Sequence, residues 1–337
     1  MDYQSILKEL EDILSETLYL WDHKRVGFYW PHYYLDHIFR VRAMSLELGK
    51  KLGADLTVLA FAATLHDITK RYDGGILTDA EGNRVLDETG LWKNEMIMPS
   101  PDKSNMVTQL YHEHDLYYQQ HNVSGAFIAD QLLSNYGLPR RFIDSVTAVI
   151  EKHLKPHNLK PDEEKTLYAD PESRSLYDAD IMDANLGYVA FHRNVHIHTY
   201  NMKKKSGKAD LVAYVGAIPK WVDMKKPFVD KFFTEAAHEI GEERYLRIRE
   251  LSSKLEEEKD DLDLNRRYGL LGSIDYFISC TDDPNFTIEM DHLQDEWIPK
   301  RKGSLEGEND KRVAAVEALG RVEELHSTLA KEARGLL

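Results

Sequence analysis

The apolar positions of this chain fall mostly at helical spacing. Ile6, Leu7, Leu10, Ile13, Leu14 and Leu18 recur every three or four residues, which predicts an amphipathic helix over 4–20. An aromatic break follows, with Trp21, Phe28, Tyr29, Trp30, Pro31, Tyr33 and Tyr34. A second helix is predicted from about Leu35 to Leu52, stopped by Gly53. Residues 55–70 are apolar on nearly every side as far as His66, the mark of a central helix buried all round. From 71 to 118 the period is lost. Asp73-Gly74-Gly75 opens this excursion, Ile76 to Asp87 reads as two short strands about the turn-rich Asp79–Asn83, and Ser100-Pro101-Asp102 marks a loop.

Helical spacing resumes at about His121 and runs to Tyr136, with Gly137 and Pro139 as the stop. The next helix is predicted from Arg140 to Leu154, before Pro156. Residues 157–175 are polar and loop-like. Further helices are predicted over 178–198 and about 228–260. The stretch 281–310, with Pro284, Pro299 and Gly303, reads as a linker or irregular cap. From Asn309 to Leu336, Val313, Val316, Leu319, Val322, Leu325 and Leu329 share one face. That last helix needs a partner surface, on its own domain or on a second subunit in a homo-oligomer. The expected fold class is all-α, with a small β-hairpin in the insertion at about 71–118. The expected domains are 1–265 and a C-terminal extension, 266–337.

Composition narrows the function. Of 337 residues, 58 are acidic and 43 are Lys or Arg, a formal charge of −15. That field opposes general nucleic-acid binding and docking on anionic membranes, but a local cationic pocket can still take a small phosphorylated substrate. Cys280 is the single cysteine, so intramolecular disulfides and thiolate zinc sites are excluded and a reduced, cytoplasmic setting is expected. The opening Met1-Asp2-Tyr3-Gln4 lacks the pattern of a secretory signal, and the longest apolar run, Leu56–Leu65, is too short to span a bilayer.

Histidine and aspartate carry the chemistry. The chain has two His-Asp pairs, and context separates them. His66-Asp67 closes the buried helix, where polar groups need partners, whereas His114-Asp115 sits in the polar run Tyr111-His112-Glu113-His114-Asp115. A metal ion at a helix end satisfies both members of the first pair and leaves the carboxylate able to bridge two ions. Singly, His37, His121 and His153 are ordinary helix histidines, and Asp180, in Asp178-Ala179-Asp180-Ile181-Met182-Asp183, reads as part of an acidic helix start. Together, in the order His, His-Asp, His, His, Asp, they are a donor set that first-row divalent metals share.

The ordered set resembles the HD-domain superfamily of metal-dependent phosphohydrolases, of the stand-alone bacterial and archaeal type. The matching stretches are His37-Ile38-Phe39-Arg40-Val41, Leu65-His66-Asp67-Ile68-Thr69-Lys70, His121 to Ala129, Val149 to His153, Asp178 to Ala184, and a late stretch from Phe232 through Arg244 to Leu251. The resemblance covers about residues 20–255. It implies a helical bundle around a central metal site, with His37, His66, Asp67 and Asp180 on a first ion and His121 and His153 on a second, Asp67 lying between them. Asp178 is the fallback for Asp180. Lys70 matches the lysine that often follows the pair. The long stretch between Asp67 and His121, and everything after about 266, depart from the compact members.

The expected function is hydrolysis of a phosphoester bond in a nucleotide, phosphomonoester or phosphodiester by a metal-activated hydroxide. Asp67 and Lys70 are the expected catalytic residues, and Lys70, Arg40 and Arg193 the expected substrate contacts, with His112 and His114 behind them. The cofactor is one or two ions of Mn, Ni, Fe, Co or Zn. The alternatives are a mixed-valent di-iron oxygenase on the same fold and a non-catalytic, metal-stabilised binding protein. The excursion 71–118 is either a lid over the substrate or a surface elaboration.

Overall fold

The computed structural model describes residues 2–22, 30–307 and 311–335. Phe28 and Tyr29 of the aromatic break, and the expected ends of the last helix at Asn309 and Leu336, lie outside the described residues. The first stripe folds as α1 (Tyr3–Leu18), capped by the Asp2 carboxylate. Next is α2 (Pro31–Leu52), which starts earlier than predicted because Pro31 takes a first-turn position that needs no amide hydrogen. It stops at Gly53, left-handed at φ 71°. Asp55 caps α3 (Leu56–Leu65) by accepting from the Thr57 and Val58 amides.

The excursion then begins. Strand β1 (Asp73–Ile76) pairs antiparallel with β2 (Asn94–Met96), Asp73 opposite Met96 and Ile76 opposite Asn94. The two strands expected within 76–87 shrink to the bridge Thr78–Arg84, across a turn whose Glu81 and Asn83 amides donate to the Asp79 carboxylate. The strand that completes the sheet, Asn94–Met96, has no alternating apolar pattern to reveal it. The excursion also holds a helix the spacing missed, α4 (Met106–Glu113), started by a capping box between Asn105 and Thr108.

The chain continues with α5 (His121–Ser134), α6 (Arg140–Glu151), α7 (Pro161–Leu167) and α8 (Pro171–Asn185). The short α7 replaces part of the expected loop. Helix α3 packs against α1, α2, α5 and α6, the central place that its all-round apolar surface demands.

The chain divides into two compact units, Met1–Asp180 and Ile181–Leu337, rather than at 265. The second unit contains α9 (Tyr188–Ser206), α10 (Leu211–Asp223), α11 (Lys226–Val229), α12 (Glu235–Glu257), α13 (Leu262–Tyr268), α14 (Leu270–Ser279), α15 (Phe286–His292), α16 (Ile298–Ser304) and α17 (Arg312–Glu332). Phe191, Tyr214, Ile218 and Ile248 share one core with Phe277, Leu293, Val322 and Leu325, so a boundary at 265 would cut through packed side chains. The stretch 281–310, expected to be irregular, is largely helical through its described residues. Pro284 lies just before the Asn285 cap of α15, and Pro299 sits in the first turn of α16, where neither breaks a helix. Among the described residues no helix is long and apolar enough to cross a membrane.

The single helix expected over 178–198 is broken at Gly187, which adopts φ 89° and ψ −174°. That conformation is essentially restricted to glycine, and a Cβ there would lie 2.6 Å from a Glu332 carboxylate oxygen. The same carboxylate accepts from the Val189 amide at 3.0 Å, at the start of α9. Gly187→Ala is expected to lower stability by about 1–3 kcal/mol, read as a lower urea midpoint; an unchanged midpoint would show that neither the backbone angle nor the carboxylate constrains the site.

Candidate metal centre

His66 and His153 are presented in the same way. Each stands just beyond a helix end, His66 after α3 and His153 after α6. The His66 Nδ1–H donates to the Ala63 carbonyl at 2.8 Å, and the His153 Nδ1–H to the Ile150 carbonyl at 2.7 Å, in both cases three residues back. Protonation at Nδ1 leaves the Nε2 lone pair of each ring free to face inward. His37 comes from the second turn of α2 and His121 is the first residue of α5. Asp180 lies in the body of α8, not at a helix start as the sequence reading had it.

These side chains meet at the Asp67 carboxylate. Its Oδ2 lies 3.7 Å from His37 Nε2 and 3.8 Å from His66 Nε2. Its Oδ1 lies 3.4 Å from His121 Nε2 and 3.7 Å from His153 Nε2. The rings of the second pair approach to 3.1 Å between Nε2 atoms. Asp180 Oδ1 is 3.1 Å from His37 Nε2, which selects Asp180 over Asp178 as the aspartate facing the histidines. The groups His37-His66-Asp67 and Asp67-His121-His153 each bring their donor atoms within 4.8 Å of one another. Donors sharing one ion at about 2.0–2.2 Å are spaced at roughly 3–4 Å, so the cluster fits a divalent ion on each oxygen of Asp67.

Two further observations support that fit. His66 Nε2 is fully buried and has no hydrogen-bond partner, a costly state for a ring nitrogen that a ligated ion would relieve. The cluster is also short of positive charge. Burial pulls the His66 pKa down to about 4, so that ring is neutral at pH 7. Burial pushes Asp67 up, but the neighbouring imidazoles His66, His153 and His121, with Lys70, outweigh it and hold the carboxyl well below its usual range. Asp180 is likewise held low, by His37 against burial. Buried carboxylates held ionised beside a neutral His66 call for a cation.

Asp73, noted in the sequence only as the start of an irregular stretch, belongs to this site. Its Oδ2 accepts from His121 Nδ1 at 2.5 Å and lies 3.5 Å from Lys70 Nζ. Burial raises the Asp73 pKa, and His121 and Lys70 more than reverse that. The carboxylate therefore fixes the His121 tautomer, as the backbone carbonyls do for His66 and His153. A carboxylate six residues after the His-Asp pair was the available signal. It had no meaning until β1 was seen to carry it beside α5.

Lys70 lies on a 3₁₀ turn (Lys70–Tyr72), with Nζ 3.4 Å from His121 Nδ1 and its side chain 25% exposed. Arg40 is buried, its guanidinium 5.9 Å from the Tyr33 ring, and that ring stacks on His37. Arg193 lies on α9 in the second unit, donating to the Ala184 carbonyl at 3.5 Å. His112 and His114 are exposed and do not join the cluster. The first bonds the Tyr117 hydroxyl, and the ring of the second packs on Phe127.

Asp73→Asn is expected to weaken binding at the Asp67-His121-His153 group by about 10–100-fold, measured by competition with a chromophoric chelator; unchanged affinity would remove Asp73 from the site. In chelated protein, unfolded His66 protonates below its ordinary value of 6.5, whereas folded His66 resists protonation down to about 4. The unfolded state therefore binds the extra proton in that window. The His66 contribution is complete above pH 6.5 and shrinks toward pH 4, by up to about 3 kcal/mol. Urea titrations of the chelated protein across this range should show the fall, and a His66→Gln variant should show less of it.

A family model, HD domain, matches residues 34–185, the segment that contains every side chain of the cluster. No curated protein matches the chain. Among solved structures, the chain is similar to a predicted HD superfamily hydrolase from an uncultured Thermotogales bacterium, at 20% identity and TM-score 0.42, covering 77% of this chain and 99% of that one. It is also similar to Bacillus subtilis YpgQ, at 19% identity and TM-score 0.41, covering 77% and 98%. Likenesses at that level carry no functional weight. The ordered histidines and aspartates lie inside the matched segment, and residues 34–185 are an HD domain.

Proposed function

We propose that the N-terminal unit is a metal-dependent hydrolase that cleaves a phosphoester bond in a small phosphorylated substrate. The observation that carries this reading is the division of labour on Asp67, whose two oxygens each face their own pair of histidines. His37, His66, Asp67 and Asp180 would hold one divalent ion, and Asp67, His121 and His153 the other. Ions so held would supply a Lewis acid and a water acidic enough to ionise near pH 7. The ions' identity is open among Mn, Ni, Fe, Co and Zn, since all accept imidazole and carboxylate.

The protein's own residues would do the rest. Lys70, partly exposed beside the cluster, is the cation best placed to meet a phosphoryl oxygen, because its turn leaves Nζ at the edge of the site rather than inside it. Asp73 holds Lys70 and His121 from the same oxygen, keeping ammonium and imidazole in register. Arg40 and Arg193 rank behind Lys70 as substrate contacts. Arg40 is buried under Tyr33, and Arg193 is already engaged by a backbone carbonyl. The excursion carries Asp73 near its start, so a lid formed by it would stay fastened to the site through His121.

Asp67→Ala is expected to remove bound metal and abolish turnover, and Lys70→Ala to keep the metal while lowering turnover by about 10²-fold. Both are measured against a panel of nucleotides and phosphosugars with manganese, nickel, iron, cobalt and zinc supplied in turn. Full turnover by Lys70→Ala would remove Lys70 from catalysis. Oxygen uptake with iron, in place of phosphate release with any metal, would overturn the hydrolase.

A further inference from the structure

We propose that His192, His196 and Glu289, in the C-terminal unit, form a second metal site that takes one zinc-like divalent ion with a structural role. His192 and His196 are one turn apart on α9, so both rings leave the same face of the helix. Glu289 comes from α15. His192 Nε2 lies 2.8 Å and His196 Nε2 2.9 Å from the same oxygen, Oε2 of Glu289. The other oxygen, Oε1, accepts from the Asn285 amide at 2.9 Å, which fixes the carboxylate at the start of α15. The three side chains are 5%, 1% and 1% exposed.

The surroundings match a built site. His196 Nδ1 faces the Thr281 hydroxyl at 3.3 Å, and that hydroxyl lies 2.8 Å from the Thr199 hydroxyl, so the His196 ring is oriented from behind. The His192 ring packs edge-on against Phe277 and Phe286, which keep water away. Among the described residues no ammonium or guanidinium is within ion-pair distance of Glu289, whose ion-pair partners are the two histidines. Burial pushes the Glu289 carboxyl up, yet His192 and His196 bring it down to about 2, and burial pulls His196 down. Among the described residues a divalent ion here would meet three donors and no competing side-chain cation.

Two imidazole nitrogens and one carboxylate oxygen are a zinc donor set with a fourth position left for a small ligand. Donors of a tetrahedral ion at about 2.0–2.1 Å lie roughly 3.3 Å apart. The rings and carboxylate therefore need to open by about half an ångström. Buried on all sides, the ion would have no substrate to meet. It would tie α9 to α15, in the stretch where the apolar pattern is too weak to predict a helix.

The rival is a hydrogen-bonded triad with no metal. The test uses full-length protein carrying His66→Ala and Asp67→Ala, which disable the first centre, incubated with zinc and freed of excess ion. About one equivalent of zinc should remain by elemental analysis, and adding Glu289→Gln should remove it. Cobalt in the same background should give the intense visible absorption of a four-coordinate ion. X-ray absorption of the retained zinc should show two imidazoles and a carboxylate oxygen, which decides the matter if Glu289→Gln fails to fold. No retained zinc, zinc retained equally after Glu289→Gln, or a zinc shell without imidazole would each overturn the site.

Discussion

One buried carboxylate, Asp67, organises the N-terminal unit. It faces four imidazoles from four different segments, two on each oxygen, with Asp180 beside His37. Burying so many polar groups is tolerable only if each is satisfied, and every device around the cluster serves that end. Helix ends lend carbonyls to His66 and His153. Asp73 holds His121. The Thr69 hydroxyl donates to the His121 carbonyl at 3.0 Å, fastening the turn after the His-Asp pair to the start of α5. Among the described residues His66 Nε2 is the buried atom of the cluster without a hydrogen-bond partner, a place that an ion could fill.

Three of the candidate ligands stand at junctions that the apolar pattern marks. His66 ends the all-round apolar run, His121 begins the next helix, and His153 falls where the following helix stops before Pro156. A recurring order of donors at such junctions is a sequence property. Asp73 was not legible, because its role comes from strand pairing, and β2 has neither alternation nor β-branched residues to announce it. The cluster His192-His196-Glu289 was missed for a related reason. Two histidines at helical spacing lack a third donor until the fold brings one 93 residues along the chain beside them.

The excursion after the His-Asp pair now has two roles that a lid reading merged. Its start supplies Asp73 to the site, and its middle forms a small hairpin closed by Asp79. The C-terminal unit is likewise more than an appended helix. Helices from both sides of residue 265 share its core.

The first three helices, the central burial of α3 and the likeness of the ordered histidines and aspartates to an HD domain followed from local rules. Hydrophobic period, capping residues and the order of donors act over a few residues and can be read without coordinates. The unit boundary, the break at Gly187, the part played by Asp73 and the second cluster were decided by tertiary structure alone. Each depends on a contact between segments far apart in the chain: a glycine backbone against Glu332, a strand beside a helix, a glutamate between two imidazoles. No periodicity within one segment encodes which distant surface it will meet.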